Sequence, residues 1–326
     1  MMLRYFRSAF AIAALMLTAC GAMAQSEWPA KPLTIIVPFG AGGSVDVTAR
    51  MVAQKLAERL KQSVVIENIT GAGGVIGVAR AVAAAPDGYT LVMGADSPIA
   101  IARFVNPVAV KYDALKDLAP VGLVNTAPMV LVARPGLPAN NLAEVLKLAR
   151  SQPGKLSYAT SGVGTVLQLA MEQVKDQAKV FITHIPYRGG AQIATDVMGN
   201  QVDLAMMISI GATPHILAKK MKGIAITDDK RLPSLPDVPA MAELPEFKGY
   251  DMVSWTGLFA PARTPVPVVE RLNRELNEVL KADDVRARML EQGAIGGSGS
   301  AADFARFVQR EQTRYARIAQ LANIKE

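Results

Sequence analysis

Leu33-Thr34-Ile35-Ile36-Val37-Pro38-Phe39-Gly40-Ala41-Gly42-Gly43-Ser44 sets the architecture of this chain. Its first five residues are apolar or β-branched and too few for a helix, which predicts a buried strand ending at Pro38. A glycine loop follows, and Ser44 suits the N-cap of a helix. Apolar residues then recur at three- and four-residue steps on one helix face, at Val45, Ala49, Val52, Leu56 and Leu60.

The same strand–helix alternation continues on both sides of this stretch and predicts an α/β fold. Strands are expected at 64–66 and 89–93, with a second glycine loop (71–74) opening a helix to about residue 85. Such alternation implies a mainly parallel sheet with right-handed crossovers. A second unit is expected from residue 129, with strands at 129–132, 156–159, 181–185, 202–207 and 223–227, and helices at about 140–150, 166–174, 190–198 and 213–218. The tail predicts a strand at 253–260 and helices at 265–281, 283–291 and 301–322.

Length and composition indicate a folded protein of about two domains. The chain has 326 residues, of which 51% are hydrophobic and 19% charged, and its mean hydropathy is +0.23. A disordered chain would be less apolar and more charged. No apolar run after residue 24 approaches the roughly 20 residues that cross a bilayer, so we do not expect a polytopic membrane protein.

Residues 1–24 have the pattern of a secretory signal peptide. Arg4 and Arg7 precede an apolar run from Ala9 to Ala19, and Ala22-Met23-Ala24 matches a cleavage site. Leu17-Thr18-Ala19-Cys20 also fits a lipoprotein cleavage box, which would make Cys20 a lipidated first residue. Both alternatives predict a periplasmic protein, and the signal-peptide cleavage is the favoured one.

The sequence contains no pattern that predicts a metal site, a cofactor site or a nucleic-acid-binding surface. Cys20 is the only cysteine and lies in the leader, and there are only two histidines, so cysteine sites and multi-histidine metal centres are excluded. Dinucleotide, P-loop and catalytic-serine motifs are absent. Removing Arg4 and Arg7 lowers the net charge from +7 to +5, the basic residues are scattered, and aromatics are 6%. We therefore predict no cofactor, no nucleic-acid partner and a monomer.

Three glycine-containing loops, 40–44, 71–74 and 160–165, are placed where strands end and helices begin. Such a loop offers free N–H groups and the positive end of a helix dipole, and so suits an anion. Each loop could instead merely turn the chain. Asp46 has two readings, pairing with its own helix dipole or contacting a ligand. His184 and His215 are interpreted as structural, with His184 also a possible pocket residue.

The ordered motifs resemble those of one family, the Bug receptors, which are the extracytoplasmic solute-binding components of tripartite tricarboxylate transporters. The resemblance covers nearly all of the chain from Trp28 onward. The motifs that carry it are Trp28-Pro29-Ala30-Lys31-Pro32, residues 36–46, Glu67-Asn68 with 71–74, Ala85-Pro86-Asp87-Gly88-Tyr89-Thr90, residues 156–165, His184-Ile185-Pro186-Tyr187-Arg188-Gly189-Gly190, Gln201-Val202-Asp203-Leu204, Leu235-Pro236-Asp237-Val238-Pro239 and residues 254–262.

The resemblance implies a two-lobed, type II periplasmic-binding-protein fold, in which two mainly parallel sheets are joined by two crossing strands. Lobe 1 would comprise residues 25–125 and 228–326, and lobe 2 residues 126–227. A small carboxylate would be captured between the lobes without chemistry and delivered to membrane transporter subunits. The ligand-binding residues expected are Phe39, Gly40, Ala41, Gly42, Gly43, Ser44, Asp46, Asp96, Ser97, Thr160, Ser161, Gly162, Val163, Gly164, Thr165, His184 and Met207.

Departures from the family pattern bear on the ligand. Met206-Met207-Ile208 stands where the family usually has Phe-Asp-Asn, and Asp96-Ser97-Pro98 where Ser and Thr are common. We therefore expect a monocarboxylate or amide with an apolar or aromatic body packed near Met206 and Met207, with Asp96 binding an amine or hydroxyl. Two other functions stay open: a sensor for a two-component system, and a secreted hydrolase that uses Ser44 or Ser161.

Overall fold

A computed structural model describes residues 28–321, and its first sheet is built around β1 (Leu33–Val37). β1 pairs in parallel with β2 (Val64–Asn68) on one side and β3 (Thr90–Ala95) on the other. Helix α1 (Ser44–Leu60) connects β1 to β2, and α2 (Val75–Val82) connects β2 to β3. The alternation expected from the sequence is confirmed here. Residues 1–24, which carry the expected leader and Cys20, lie outside the described range.

A long strand, β4 (Leu118–Ala133), runs from the first sheet into the second. It follows a turn at 97–101 and the short helices α3 (Ala102–Val105) and α4 (Ala114–Asp117). Its first part pairs antiparallel with β9 (Val253–Pro261), which also pairs antiparallel with β3. The sequence predicted a strand only at 129–132, because Pro120, Gly122 and Pro128 are typical breakers. Irregular pairing between Pro120 and Asn125 accommodates the first two, and Pro128 lies at the end of the pairing with β9.

The second sheet is formed by the end of β4 and the strands that follow it. β5 (Ser157–Thr160) lies parallel between β6 (Thr183–Pro186) and β7 (Leu204–Ile208). Both β7 and β8 (Lys222–Ile226) pair antiparallel with residues 129–133 of β4. The helices are α5 (Leu142–Ser151), α6 (Val166–Ala178), α7 (Gly190–Met198) and α8 (Ser209–Leu217). The predicted start of α8 at Thr213 was wrong, because Pro214 lies inside the helix rather than at its beginning.

The C-terminal part of the described chain packs on the first sheet. It comprises α9 (Val266–Lys281), α10 (Asp283–Glu291), the short strand β10 (Ile295–Gly296) and α11 (Ala301–Leu321). α9 packs on β4 and α1, and α11 packs on β4. Trp255 of β9 is fully buried against the rings of Phe304 and Phe307. This aromatic contact fixes α11 to the sheet.

The segment between β8 and β9 packs partly with the second sheet. Leu232, Leu235 and Val238 are buried in one apolar cluster with Val130 and Ile193. The backbone of Ile226 also forms an isolated parallel bridge to Ala240. Between residues 28 and 321, the structure contains no helix with both the length and the apolarity needed to cross a membrane.

Thr227 lies beside the two points at which the chain passes between the sheets, one in β4 and one just before β9. Its side chain is fully buried, and its Oγ1 donates to the Met252 carbonyl oxygen at 2.6 Å and accepts from the Met129 N–H at 2.9 Å. The Thr227 N–H donates to the Met129 carbonyl oxygen, and the Met252 N–H donates to the Thr227 carbonyl oxygen, both at 2.9 Å. Three chain segments are therefore joined at one buried hydroxyl.

Candidate functional site

A cavity of about 60 Å³ lies between the ends of the two sheets. Its walls are mostly apolar and come from both halves of the molecule, among them Phe39, Val45, Leu167, Ile193, Met207 and Ile208. The polar side chains at the cavity are those of Ser44, Ser97, Ser161, Asp96 and His215. Among the described residues that line it, none is lysine or arginine. Any negative charge bound here would have to be balanced by backbone groups.

Four helices begin at this cavity, and in none of them does the N-cap side chain bond the first turn. The N-caps are Gly43 for α1, Thr165 for α6, Gly189 for α7 and Ile208 for α8. The first turn of every α-helix contains N–H groups without intrahelical partners, and it carries the positive end of the helix dipole. Four such ends directed at one cavity make it suited to an anion.

The first glycine loop is held in place by Asp46, which is buried at the start of α1. Its carboxylate accepts hydrogen bonds from the Gly42 N–H at 2.8 Å, from Asn68 Nδ2 at 2.9 Å and from Arg50 Nε at 2.9 Å. Burial opposes ionisation, but the bonds from Arg50, Gly42 and Asn68 hold the pKa of Asp46 below its ordinary value. The Asp46 carboxylate is therefore bonded by three protein donors, and its bond from the Gly42 N–H holds the first glycine loop in place.

Only part of the first glycine loop lines the cavity. Phe39, Gly42, Gly43 and Ser44 line it. Gly40 and Ala41 are not among its lining residues, and a Cβ placed on Gly189 would be only 3.4 Å from the Gly40 nitrogen. The loop therefore faces the start of α7 across the gap.

Asp96 and Ser97 are buried beside the cavity, where their polar atoms are used by the protein. Asp96 Oδ1 accepts from the Ser97 N–H (2.6 Å) and Oγ (2.8 Å), and its Oδ2 accepts from the Ser254 Oγ (2.5 Å) and the Trp255 N–H (3.1 Å). Burial raises the pKa of Asp96, against the effect of these bonds. Four donors occupy both carboxylate oxygens, so the carboxylate has no acceptor site left for the expected ligand amine or hydroxyl.

The loop 160–165 contributes one residue, Ser161, to the cavity wall. The other polar atoms stabilise the loop itself. The hydroxyls of Thr160 and Thr165 both donate to the Gly162 carbonyl oxygen, and the Gly164 N–H donates to Gln168 Oε1 at 2.7 Å. Gly162 and Val163 face the second glycine loop across a separate depression of about 260 Å³, where a Cβ on Gly73 would lie 3.2 Å from the Val163 carbonyl oxygen.

His184 lies behind the loop 160–165, and the residues that line the cavity do not include it. Its ring stacks on Tyr158 with centroids 4.8 Å apart, and its Nε2 is 2.7 Å from Thr160 Oγ1. Burial lowers the pKa of His184, which favours a neutral ring. These contacts fit the structural reading of this histidine.

Several lining residues were not predicted, among them Val45, Val166 and Leu167, and two of the missed contributors bear on the chemistry of the cavity. The first is the start of α7, where Gly190 and Ala191 line the wall, and the signal was the pair Gly189-Gly190 before an apolar helical pattern. The second is His215 of α8, whose pKa is lowered by burial. Nothing in its sequence neighbourhood indicated that role. Met207 lines the cavity as expected, whereas the adjacent Met206 packs in a core cluster.

The other depressions and side-chain groups within residues 28–321 offer fewer functional groups for a ligand. A wider depression of about 560 Å³ lies away from the cavity and is lined by Tyr250, Asp251, Arg310, Arg314 and Arg317 among others. In residues 28–321, no group of three or more His, Cys, Asp or Glu side chains is placed to hold a metal ion. Neither Ser44 nor Ser161 has a hydroxyl hydrogen bond to a histidine within that range.

Comparison with known proteins gives consistent similarities over almost the whole chain. The sequence model of the tripartite tricarboxylate transporter family receptor matches residues 48–324. Rpa4515 from R. palustris, solved with adipate, is 33% identical with a TM-score of 0.89, over 92% of this chain and 99% of that one. MatC from Rhodopseudomonas palustris, solved with bound malate, is 33% identical with a TM-score of 0.85, over 89% and 99%. The periplasmic binding protein BugD is 31% identical with a TM-score of 0.85, over 91% and 99%.

Proposed function

The chain belongs to the tripartite tricarboxylate transporter family of receptors, and we propose that it captures a short carboxylate in the cavity between its two sheets. One observation carries the proposal: four helix N-termini, none capped by the side chain of its own N-cap residue, converge on a cavity that has no basic side chain among its described lining residues. Backbone N–H groups and helix dipoles bind a carboxylate without a salt bridge.

The walls favour a ligand with one charged end and an apolar body. Apart from the serines, Asp96 and His215, the cavity offers aliphatic and aromatic surface, and Asp96 has its acceptors filled. Adipate and malate, found with the two relatives, carry two carboxylates each. We infer that this chain prefers a monocarboxylate or amide whose apolar part contacts Met207 and Phe39.

We further propose that the two sheets belong to two lobes that close on the ligand. The support is that the chain passes between them in two places within residues 28–321, along β4 and between Met252 and β9. The packing of Leu232, Leu235 and Val238 with the second sheet supports extending lobe 2 beyond residue 227, to about Met252. A ligand that contacts both lobes would shift the population toward the closed form.

Release of an unaltered ligand is part of the proposal. A serine nucleophile needs a base within hydrogen-bond reach, and in the described chain neither Ser44 nor Ser161 is bonded to a histidine. We also propose that residues 1–24 direct the chain to the periplasm, that it works as a monomer, and that membrane subunits of the transporter receive the ligand.

Titration calorimetry with a panel of acids tests the function and the ligand class separately. We expect aliphatic and aromatic monocarboxylates or their amides to bind at least tenfold more tightly than malate, adipate or citrate. Tight binding of dicarboxylates alone would contradict the ligand class and leave the receptor function standing. Failure of every acid to bind, together with turnover of nitrophenyl esters, would instead replace the receptor by a hydrolase.

A further inference from the structure

One serine hydroxyl joins the two halves of the molecule beside the cavity. Ser97 follows β3 of the first sheet, and Val166 is the first residue of α6, between β5 and β6 of the second. The Val166 N–H donates to Ser97 Oγ at 3.1 Å, and Ser97 is 4% exposed. An orphan N–H at a helix start is therefore capped by a side chain from the other half.

Asp96 determines the direction in which this hydroxyl points. The Ser97 Oγ–H is donated to Asp96 Oδ1 at 2.8 Å, which leaves the oxygen lone pairs free to accept from Val166. Asp96 is in turn held by the Ser254 Oγ and the Trp255 N–H of β9, a strand of the first sheet. Residues of the first half alone therefore orient the Ser97 Oγ to accept a hydrogen bond from the second half.

We propose that the Val166 N–H to Ser97 Oγ bond is an interlobe latch that stabilises the closed form, with Asp96 as its positioning residue. The latch rests on the two-lobed closing motion proposed above. It uses no ligand atom, so it acts in the empty protein as well as in the loaded one.

Neighbouring contacts agree with a closed arrangement around the latch. The backbones of the two halves approach closely, as at Gly189 and Gly40, where an added Cβ would lie 3.4 Å from the opposite nitrogen. On the α8 side, the buried Ser209 Oγ donates to the Gly293 carbonyl oxygen of the C-terminal region at 3.0 Å. Opening would expose the Ser97 hydroxyl and the Val166 N–H to water, so the latch contributes only the net strength of one hydrogen bond.

The test measures the closed population of ligand-free protein. Spin labels on Glu67→Cys and Thr183→Cys, at exposed positions of the outer strands β2 and β6, report the distance between the halves, because the only native cysteine lies in the leader. Ser97→Ala removes the acceptor. We expect the closed-to-open ratio to fall by about three- to tenfold, the range for one net hydrogen bond. Ser157→Ala, which loses a hydroxyl bond to Asp203 inside the second sheet, is the matched control.

A second variant removes the donor without touching Ser97. Val166→Pro places proline at the first position of α6, where proline is tolerated, and Thr165 already has the extended backbone that precedes proline (φ −84°, ψ 158°). We expect the same loss as in Ser97→Ala, and no further loss in the double variant. Variants that melt earlier yet keep the wild-type distance distribution would overturn the latch, and so would additive effects in the double variant.

Discussion

Single residues at this site mostly hold backbone in place. The two acidic residues expected to contact the ligand, Asp46 and Asp96, each accept at least three protein hydrogen bonds. Asp46 was open to two readings from sequence, and its contact with the Gly42 N–H shows that it shapes the loop. The sequence indicates that a carboxylate lies near the site. It does not indicate which donors bond that carboxylate, because some of them, such as Ser254, lie on strands distant in sequence.

The two histidines predict how stability depends on pH. Burial lowers the pKa of both His184 and His215 below the ordinary 6.5. The unfolded chain therefore takes up protons first as pH falls below 6.5, so the free energy of unfolding falls with it. We expect wild type to lose more stability between pH 7.5 and 5.5 than the double variant His184→Gln, His215→Gln, measured by urea unfolding. Equal losses in both proteins would show that the histidines do not cause the effect.

At the scale of elements, β7 presents its neighbouring methionines to different surroundings. Met206 is fully buried in one core cluster, and Met207 lines the cavity. Successive side chains of a strand point to opposite faces. The sequence analysis placed both methionines near the ligand, because the sequence predicts the strand but not which of its two faces lies toward the cavity.

Alanine at each position separates packing from ligand selection. Met206→Ala should lower the free energy of unfolding by about 2–5 kcal/mol with unchanged ligand preference. Met207→Ala should enlarge the cavity and shift preference toward longer apolar acids, by about fourfold per added methylene. Calorimetry with a homologous series and urea unfolding measure the two effects. A shift in preference caused by Met206→Ala, but not by Met207→Ala, would reverse the assignment.

Elements with strong periodicity were predictable, and elements made by distant pairing were not. The helices at 44–60 and 266–281 follow their apolar patterns closely. Residues 118–128 of β4 include Pro120, Gly122 and Pro128, and they form a strand through their pairing with β9. Helix α7 was expected from the sequence, but its place at the cavity depends on the approach of the first glycine loop.

At the scale of the whole molecule, Thr227 connects the two sheets through one buried hydroxyl. Thr227→Val would leave the Met129 N–H and the Met252 carbonyl oxygen without this partner. We expect a loss of about 1–3 kcal/mol in the free energy of unfolding, the cost of unsatisfied buried groups.

Urea unfolding checks the prediction for Thr227. Thr313→Val on the exposed side of α11, where the hydroxyl bonds only the Gln309 carbonyl oxygen, is the control and should change stability by no more than about 0.5 kcal/mol. If both variants lose the same amount, the crossing point has no special energetic role.

The four helix ends around the cavity have an electrostatic consequence for the empty receptor. Each end has a partial positive charge of about half a unit, which the Asp46 carboxylate offsets at α1, so the other three ends place like charges around the cavity. Small inorganic or buffer anions therefore relieve the same repulsion that the physiological solute relieves. Selectivity for the solute must then come from the apolar walls of the cavity. Formate or acetate in a purification buffer would compete with the solute for the same site.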